Sequence, residues 1–532
     1  MWCGGEPTGF WRIKVKIVSS RLMAEIDQQS QNRFSLPGLL LMENAGARAF
    51  EKFLQVQRES GSPSYDGRDL EILCLAGGGN NGGDALVIAR HAFNWGYEKT
   101  KVLLRNRRNN EQVRKQLEML QSLGVPVYVW EEEGKEARQR IAEAQVIFDG
   151  VAGTGLKGEL RGTAADLVHE VEQNARAYIV AVDGPSGLGD EFRPSFPALK
   201  ADLSITMGLP KYALYTPAGR LYAGRIEVVS PGFPRALTEN PKDSGELLTW
   251  ENDYLEAYRI ESVKPGSYKG DRGHLAVFAG RVGTSGAAML CGESAARCGL
   301  GLVTLFCDQD IYPRVGGTVD ALMVRPLSAQ EFQLPKGVTK LLVGPGWGVE
   351  GRKKTLLELL NIGLPGVIDA EGLSVLSLLI RDLGTSEIRK KTARRWVLTP
   401  HPGEFLRLYK ALGEDVDKER LLADPLPLLR RLAEELQAIV LLKTHVLWLC
   451  DPEGEYKVVD GMNPAMGTGG SGDVLAGVIA GLLGRGESFF HDAAAGVLIH
   501  QRIGRIAAGE RGWFIADEML SYISQLTGGL GA

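Results

Sequence analysis

The chain is poor in what a secreted, membrane-bound or nucleic-acid-binding protein needs. Its six cysteines (Cys3, Cys74, Cys291, Cys298, Cys307 and Cys450) form no Cys-x-x-Cys pair, and Cys74 and Cys307 lie in apolar, strand-like runs. Such spacing supplies neither a disulfide frame nor a zinc site and reads as reduced thiols in a cytoplasmic protein. A basic excess is missing too, with Lys+Arg 61 against Asp+Glu 65 and a net charge of -4. That balance attracts neither nucleic acid nor an anionic bilayer, so small-molecule or protein partners are expected; a homo-oligomer is a separate expectation. No uncharged apolar stretch approaches the ~18–20 residues that cross a bilayer. The opening 15 residues contain Gly4, Gly5, Glu6 and Pro7 and no apolar signal core; residues 1–15 read as an N-terminal extension, and export is not expected. What the chain has in excess is glycine, 67 in 532 residues, nearly twice the usual ~7%.

At ~150 residues per domain the length allows two to four domains. A helical pattern over 22–53 is broken at Leu36-Pro37-Gly38. Beyond it, short apolar runs at 70–75, 101–104, 125–130, 146–148 and 178–182 read as strands, with amphipathic helices over 85–94 and 111–123. Strands spaced by helices predict a parallel sheet with crossover helices, closed by a strand pair at 203–206 and 225–229. A polar stretch between Pro234 and Pro265 separates this series from a second one, with strands at 274–278, 302–306, 341–343, 367–368, 396–398, 439–442 and 446–449. The expectation is an α/β protein of two domains, 16–235 and 251–532, joined by a linker over 236–250. Each half carries its own glycine-rich turns, so each is expected to hold a site.

In the first half a strand runs into Ala76-Gly77-Gly78-Gly79-Asn80-Asn81-Gly82-Gly83-Asp84 before the helix expected from Ala85. Glycines accept positive φ and let a phosphate approach closely, while a helix N-terminus points its N–H groups at the anion. The reading is a phosphate cradle; the structural alternative is a flexible turn with Asp84 as a helix cap. Two further apolar runs end in an acid and a glycine-spaced loop: Val146-Ile147-Phe148-Asp149-Gly150 and Val180-Ala181-Val182-Asp183-Gly184-Pro185-Ser186-Gly187. The carboxyl ends of parallel strands line the ligand crevice, so Asn81, Asp149, Asp183 and Ser186 can converge. Gly184-Pro185-Ser186-Gly187 is not a Gly-x-Ser-x-Gly elbow, so hydrolase chemistry is not supported.

These motifs, with Leu41-Met42-Glu43-Asn44-Ala45-Gly46, resemble the epimerase domain of the bifunctional NAD(P)H-hydrate repair enzymes. That family interconverts the R and S epimers of hydrated NADH and NADPH. The resemblance implies a Rossmann-like three-layer α/β fold. It implies substrate held by Asn80, Asn81, Gly82, Gly83 and Asp84 and by Gly153-Thr154-Gly155-Leu156-Lys157-Gly158-Glu159, with Asp183 as acid/base. A potassium ion would be held by Asn81, Asp149 and Ser186. One departure is Ala85, where the family pattern has glycine; its methyl group is expected to narrow the phosphate approach.

In the second half, Asn463-Pro464-Ala465-Met466-Gly467-Thr468-Gly469-Gly470-Ser471-Gly472-Asp473 leads into an apolar helix. Small residues at a helix start form an anion hole, with Asp473 placed to meet a substrate hydroxyl. The run is similar to the Gly-Thr-Gly-Asp signature of ribokinase-like kinases. With Gly280-Arg281-Val282-Gly283-Thr284-Ser285-Gly286-Ala287, Gly344-Pro345-Gly346-Trp347-Gly348, Thr399-Pro400-His401-Pro402-Gly403-Glu404 and Leu441-Leu442-Lys443, it resembles the ADP-dependent NAD(P)H-hydrate dehydratase domain. By that resemblance Ala287, Gly346, His401 and Asp473 contact the hydrated nucleotide, and Asp473 is catalytic. Lys443, Thr444, His445, Val446, Leu447 and Gly472 bind the adenine nucleotide, ADP, accompanied by Mg2+. Thr444-His445 departs from the family's glycine after the lysine. The expected activity is bifunctional repair: epimerisation in the first domain and ADP-driven dehydration of the S form in the second, giving AMP and phosphate. One alternative is a ribokinase-like small-molecule kinase fused to a nucleotide-binding module; another makes the first domain a binding module alone.

Overall fold

The computed structural model describes residues 14–60, 68–153, 155–250, 266–327 and 332–528. Thr154 and the first thirteen residues of the expected extension therefore lie outside the described residues. The chain divides into two compact units, one over Val15–Gly245 with Leu422–Asp424, the other over Glu246–Leu421 and from Pro425 onward, with Lys14.

In the first unit, strand β1 (Lys16–Ile17) precedes helices α1 (Ser20–Phe34) and α2 (Gly38–Glu59). Ser19 caps α1 by accepting from the Leu22 N–H, and Ser35 ends it in the left-handed region at φ 55°, ahead of Pro37. The sheet is built from β2 (Ile72–Ala76), β3 (Lys101–Leu104), β4 (Val127–Val129), β5 (Val146–Gly150), β6 (Tyr178–Val182), β7 (Leu203–Met207) and β8 (Arg225–Val229). All neighbours are parallel in the order β4-β3-β2-β5-β6-β7-β8. Parallel strands covered on both faces are apolar throughout, which is why β2 and β5 are buried at every residue. The strand order reverses between β2 and β5, so the crevice expected in a doubly wound sheet opens above their carboxyl ends.

Helix α3 (Asn80–Asn94) follows β2 and starts earlier than the sequence pattern predicts. Residues 80–84 are its first turn, Gly79 is its N-cap, and no side chain caps it. Asp84 is thus inside the helix and is not the cap. The reason is steric. A Cβ on Gly82 would lie 1.9 Å from the Gly77 carbonyl oxygen, and one on Gly83 would lie 2.3 Å from Met42 Cε. Gly77, Gly78, Gly79, Gly82 and Gly83 are all absent from the positive-φ residues; close backbone approach, not a special dihedral, selects glycine at Gly77, Gly78 and Gly82. Ala85 is also explained: its buried methyl group packs against Gly150, where an added Cβ would sit 2.6 Å away. It faces the sheet and does not narrow the approach to the loop.

The second unit's strands are β9 (Gly245–Leu248), β10 (His274–Phe278), β11 (Leu302–Asp308), β12 (Met323–Leu327), β13 (Lys340–Val343), β14 (Gly366–Ile368), β15 (Trp396–Leu398), β16 (Ile439–Leu442), β17 (Val446–Cys450) and β18 (Tyr456–Asp460). They run in the order β9-β18-β17-β16-β15-β14-β13-β10-β11-β12, antiparallel only at β16/β17 and β17/β18. Helix Ser471–Leu482 packs face to face on helix Ser285–Arg297; a Cβ on Gly477 would fall 2.0 Å from Ser294 Oγ. No helix of the described residues is long and apolar enough to cross a membrane.

Candidate functional sites in the two units

A cavity of about 430 Å³ opens over the β2/β5 switch point. Its lining includes Asn80, Asn81, Gly82, Asp84, Gly153, Gly155, Leu156, Asp183 and Lys211, so α3, the loop after β5, the end of β6 and the turn after β7 meet there. Asp183 follows β6 with φ at +66°. A non-glycine residue stays in that region only where its surroundings over-determine it, commonly at a functional site. Here three donors converge on its Oδ1: the Lys211 ammonium, the Met207 N–H at 2.9 Å and the Thr206 hydroxyl at 3.2 Å. Lys211 is fully buried and also donates to Thr206 Oγ1 at 3.0 Å and the Met207 carbonyl at 2.6 Å. A buried ion pair with every ammonium proton placed fixes the carboxylate in position. Sequence reasoning missed Lys211 and Thr206. The available signal was one lysine, four residues beyond the end of an apolar strand.

Asp149, at the penultimate position of β5, accepts from the Ser186 N–H at 2.7 Å, the Ser186 hydroxyl at 2.5 Å and the Val151 N–H at 3.2 Å. Both side chains are fully buried, and burial raises the Asp149 carboxyl above its ordinary value. Asn81 lies against Gly153, whose added Cβ would sit 3.2 Å from the amide carbon. Both polar atoms of the Asn81 amide are buried without a hydrogen-bond partner. Lys157, Gly158 and Glu159 continue the loop after Gly155 and do not line the cavity.

In the second unit, Asp473 stands in the first turn of helix Ser471–Leu482, with Gly470 as its left-handed N-cap at φ 93°. Burial, then the charges of Asp369 and Glu371, push its carboxyl up to about 7, with Lys443 opposing. Lys443, one residue past β16, pairs with buried Asp369, which also accepts from the Thr399 hydroxyl at 2.8 Å. A Cβ on Gly472 would lie 3.7 Å from Lys443 Nζ, so the lysine, the helix start and Asp473 form one cluster. Asp369 was not singled out from the sequence, although it follows β14 with the same strand-then-acid pattern as Asp183. Thr284 Oγ1 donates to the Gly346 carbonyl at 2.7 Å, joining two of the predicted loops near Ala287, which lies in the first turn of helix Ser285–Arg297.

His401 sits at the edge of this group in a different role from a simple contact residue. Its Nδ1 accepts from the Gly403 N–H at 3.0 Å, and its own N–H donates to Glu404 Oε2 at 2.9 Å, so it closes a capping box on helix Pro402–Ala411. Its Nε2 edge is left toward Glu404 Oε1 at 3.3 Å. Val446 and Leu447 are buried in β17 between β16 and β18. Only Lys443, Thr444 and His445, in the turn before it, reach the end of the sheet. There the Thr444 hydroxyl accepts from the Val446 N–H at 3.1 Å.

Residues 38–213 match the family model described as YjeF-related protein N-terminus, and residues 275–525 match the one described as NAD(P)H-hydrate dehydratase. The chain is 32% identical over 540 residues to the bifunctional NAD(P)H-hydrate repair enzyme Nnr of Moorella thermoacetica, covering 95% of this chain and 96% of that one. The chain belongs to the bifunctional NAD(P)H-hydrate repair enzymes. The repair enzyme of Coxiella burnetii is 32% identical across 90% of this chain and 92% of its own. That of Escherichia coli is 31% identical across 90% and 87%. Both halves of the family's architecture are thus present in one chain, each with a glycine-lined helix start and an acid beside it.

Proposed function

We propose that each unit performs one step in the repair of hydrated NADH and NADPH. A 1,4-dihydronicotinamide is an enamine; protonation at its β carbon and addition of water place the hydroxyl on the ring carbon next to nitrogen. That carbon is a stereocentre, so hydration gives two epimers. In the first unit the cavity takes the hydrated ring beside Asp183, and the N–H groups of the first turn of α3 receive the pyrophosphate. Asp183, fixed by Lys211, serves as acid/base. The buried, unpartnered Asn81 amide, with Asp149 and Ser186 nearby on the loops it touches, fits a hard monovalent cation held by oxygen. When bound, a potassium ion there would offset pyrophosphate charge.

In the second unit Asp473 would remove the proton from the S epimer's hydroxyl as that oxygen takes a phosphoryl group from ADP. AMP is left; the ring C–O bond then breaks with phosphate as the leaving group, and loss of a proton from the neighbouring ring carbon restores NAD(P)H. Lys443 and Gly472 at the end of the sheet are placed for the nucleotide phosphates. Asp369 and Glu371, whose charges reach the Asp473 carboxyl, would with it supply the hard oxygens that Mg2+ takes. The observation that carries this reading is the pairing, in each unit, of a strand-end or helix-start carboxyl with a glycine-lined anion site. The unpaired, buried cysteines fit a reducing cytoplasm. The test is incubation of hydrated NADH with ADP and Mg2+. Regain of reduced-nicotinamide absorbance with release of AMP is expected; a stable phosphorylated alcohol instead would select the kinase alternative.

A further inference from the structure

We propose that Asp84 and Asp183 work as a proton-transfer pair in the epimerase cavity, Asp84 giving a proton to the departing ring hydroxyl and Asp183 taking one from the water that returns. The proposal rests on the epimerase reading above and names the second group that inversion needs. Both side chains line the cavity, from different elements: Asp84 one helical turn beyond Asn80 on α3, Asp183 at the carboxyl end of β6. Inverting a carbon by loss and return of oxygen uses opposite faces of the ring, so donor and acceptor must come from separate elements.

The two carboxyls are treated differently by the fold. Asp183 has the buried Lys211 ammonium and two further donors on one oxygen. Asp84 makes no side-chain hydrogen bond or ion pair with any described residue. The charged groups that face it are Asp183 from β6, Asp27 from α1 and Lys211 from the turn after β7, and that lysine is committed to Asp183. Asp27, itself shifted upward by burial, bonds to Gln31 at 3.1 Å. Burial, followed by the Asp183 and Asp27 charges, holds the Asp84 carboxyl well above its ordinary range. Asp84, buried without a side-chain partner, is the donor, and Asp183, anchored by Lys211, Met207 and Thr206, is the acceptor.

The step balances without a co-reactant. The Asp84 O–H proton passes to the ring hydroxyl; the C–O bond breaks and its electron pair leaves with water. The ring nitrogen's lone pair forms a C=N bond to the same carbon. Water adds to the other face, the C=N pair returns to nitrogen, and Asp183 takes the added water's proton. Transfer of that proton from Asp183 to Asp84 through water restores both groups.

The test uses the full chain without ADP, supplied with chromatographically separated R and S hydrated NADH. Asp84→Asn is expected to lower kcat for interconversion by about 100-fold or more, the scale of a lost general acid, with KM changed little. The alkaline fall of the wild-type rate should disappear in that variant. A wild-type denaturation midpoint for the first unit is expected and reports an intact fold there; dehydration of the S epimer on adding ADP, carried by the second unit, should be unchanged. A raised KM with kcat and pH profile retained would show that Asp84 only binds substrate and would overturn the proposal. So would a wild-type rate that stays flat up to the pH at which the chain unfolds, a readout that needs no variant. A wild-type chain that leaves the separated epimers unchanged overturns the epimerase reading itself, and is told apart from the other outcomes because no variant is involved.

Discussion

Lys211 and Asp183 show how much one side chain depends on another. Removing the ammonium leaves a carboxylate in the left-handed region with only neutral donors, and breaking a buried pair on one side costs about 3–5 kcal/mol. Lys211→Met is therefore expected to lower the denaturation midpoint of the first unit sharply, and Lys211→Met with Asp183→Asn to recover part of the loss, as read by chemical unfolding. Asp473 behaves in the opposite sense. Its folded value of about 7 lies above the ordinary carboxylate value, so its contribution to stability is fully present below pH ~4 and is lost as pH rises through 7. Asp473→Asn should raise the unfolding midpoint at pH 8 while abolishing dehydration, a trade of stability for reactivity. The same titration predicts that the wild-type dehydration rate climbs as pH rises through about 7, where the base form appears. Asp149, Asp183 and Asp473 were legible because an acid after an apolar run, or within a glycine run, leaves a pattern in the text. Lys211 left only a lone lysine after a strand: a fully buried lysine and a solvated one are the same letter.

At the scale of elements, the start of α3 is the point where the chain's letters mislead. Asn-Asn-Gly-Gly reads as loop because glycine is costly inside a helix. The structure makes it helix because only a residue without Cβ lets α3 sit on the β2 turn. Gly82→Ala places a methyl group 1.9 Å from a backbone oxygen and is expected to cost about 3 kcal/mol or more through overpacking. Gly79→Ala, with nothing within 4 Å of the added carbon and φ at -101°, should fold within about 0.5 kcal/mol of the parent. Its added methyl borders the cavity, so its loss should appear in epimerase KM; unfolding curves and epimer kinetics on the two variants separate packing from binding. The strands were readable to within a residue or two because parallel strands buried on both faces are continuous apolar runs. The short strand β9 and the edge strand β12, with exposed or mixed residues in β12, carried no such run and were not expected.

Over the whole molecule, two sheets of different order carry two sites of similar design, a helix start beside an acid at the carboxyl end of parallel strands. Fusion suits the chemistry, because hydration gives both epimers while dehydration takes one. The stretch between the two series reads as polar and proline-bearing; the compact units divide after Gly245, with Leu422–Asp424 counted with the first. What the sequence could not supply was the pairing of distant residues, such as Lys443 with Asp369 or Asn81 with Gly153, since contacts between loops leave no local pattern. The most direct measurement is the consumption of separated R and S hydrated NADH, with ADP and Mg2+, by the wild-type chain, Asp183→Asn and Asp473→Asn. The wild type should restore NADH from both epimers; Asp183→Asn should restore it from S alone, beyond the spontaneous rate; Asp473→Asn should restore it from neither while still interconverting them. Restoration from R at the wild-type rate by Asp183→Asn, or from S by Asp473→Asn, would contradict the account.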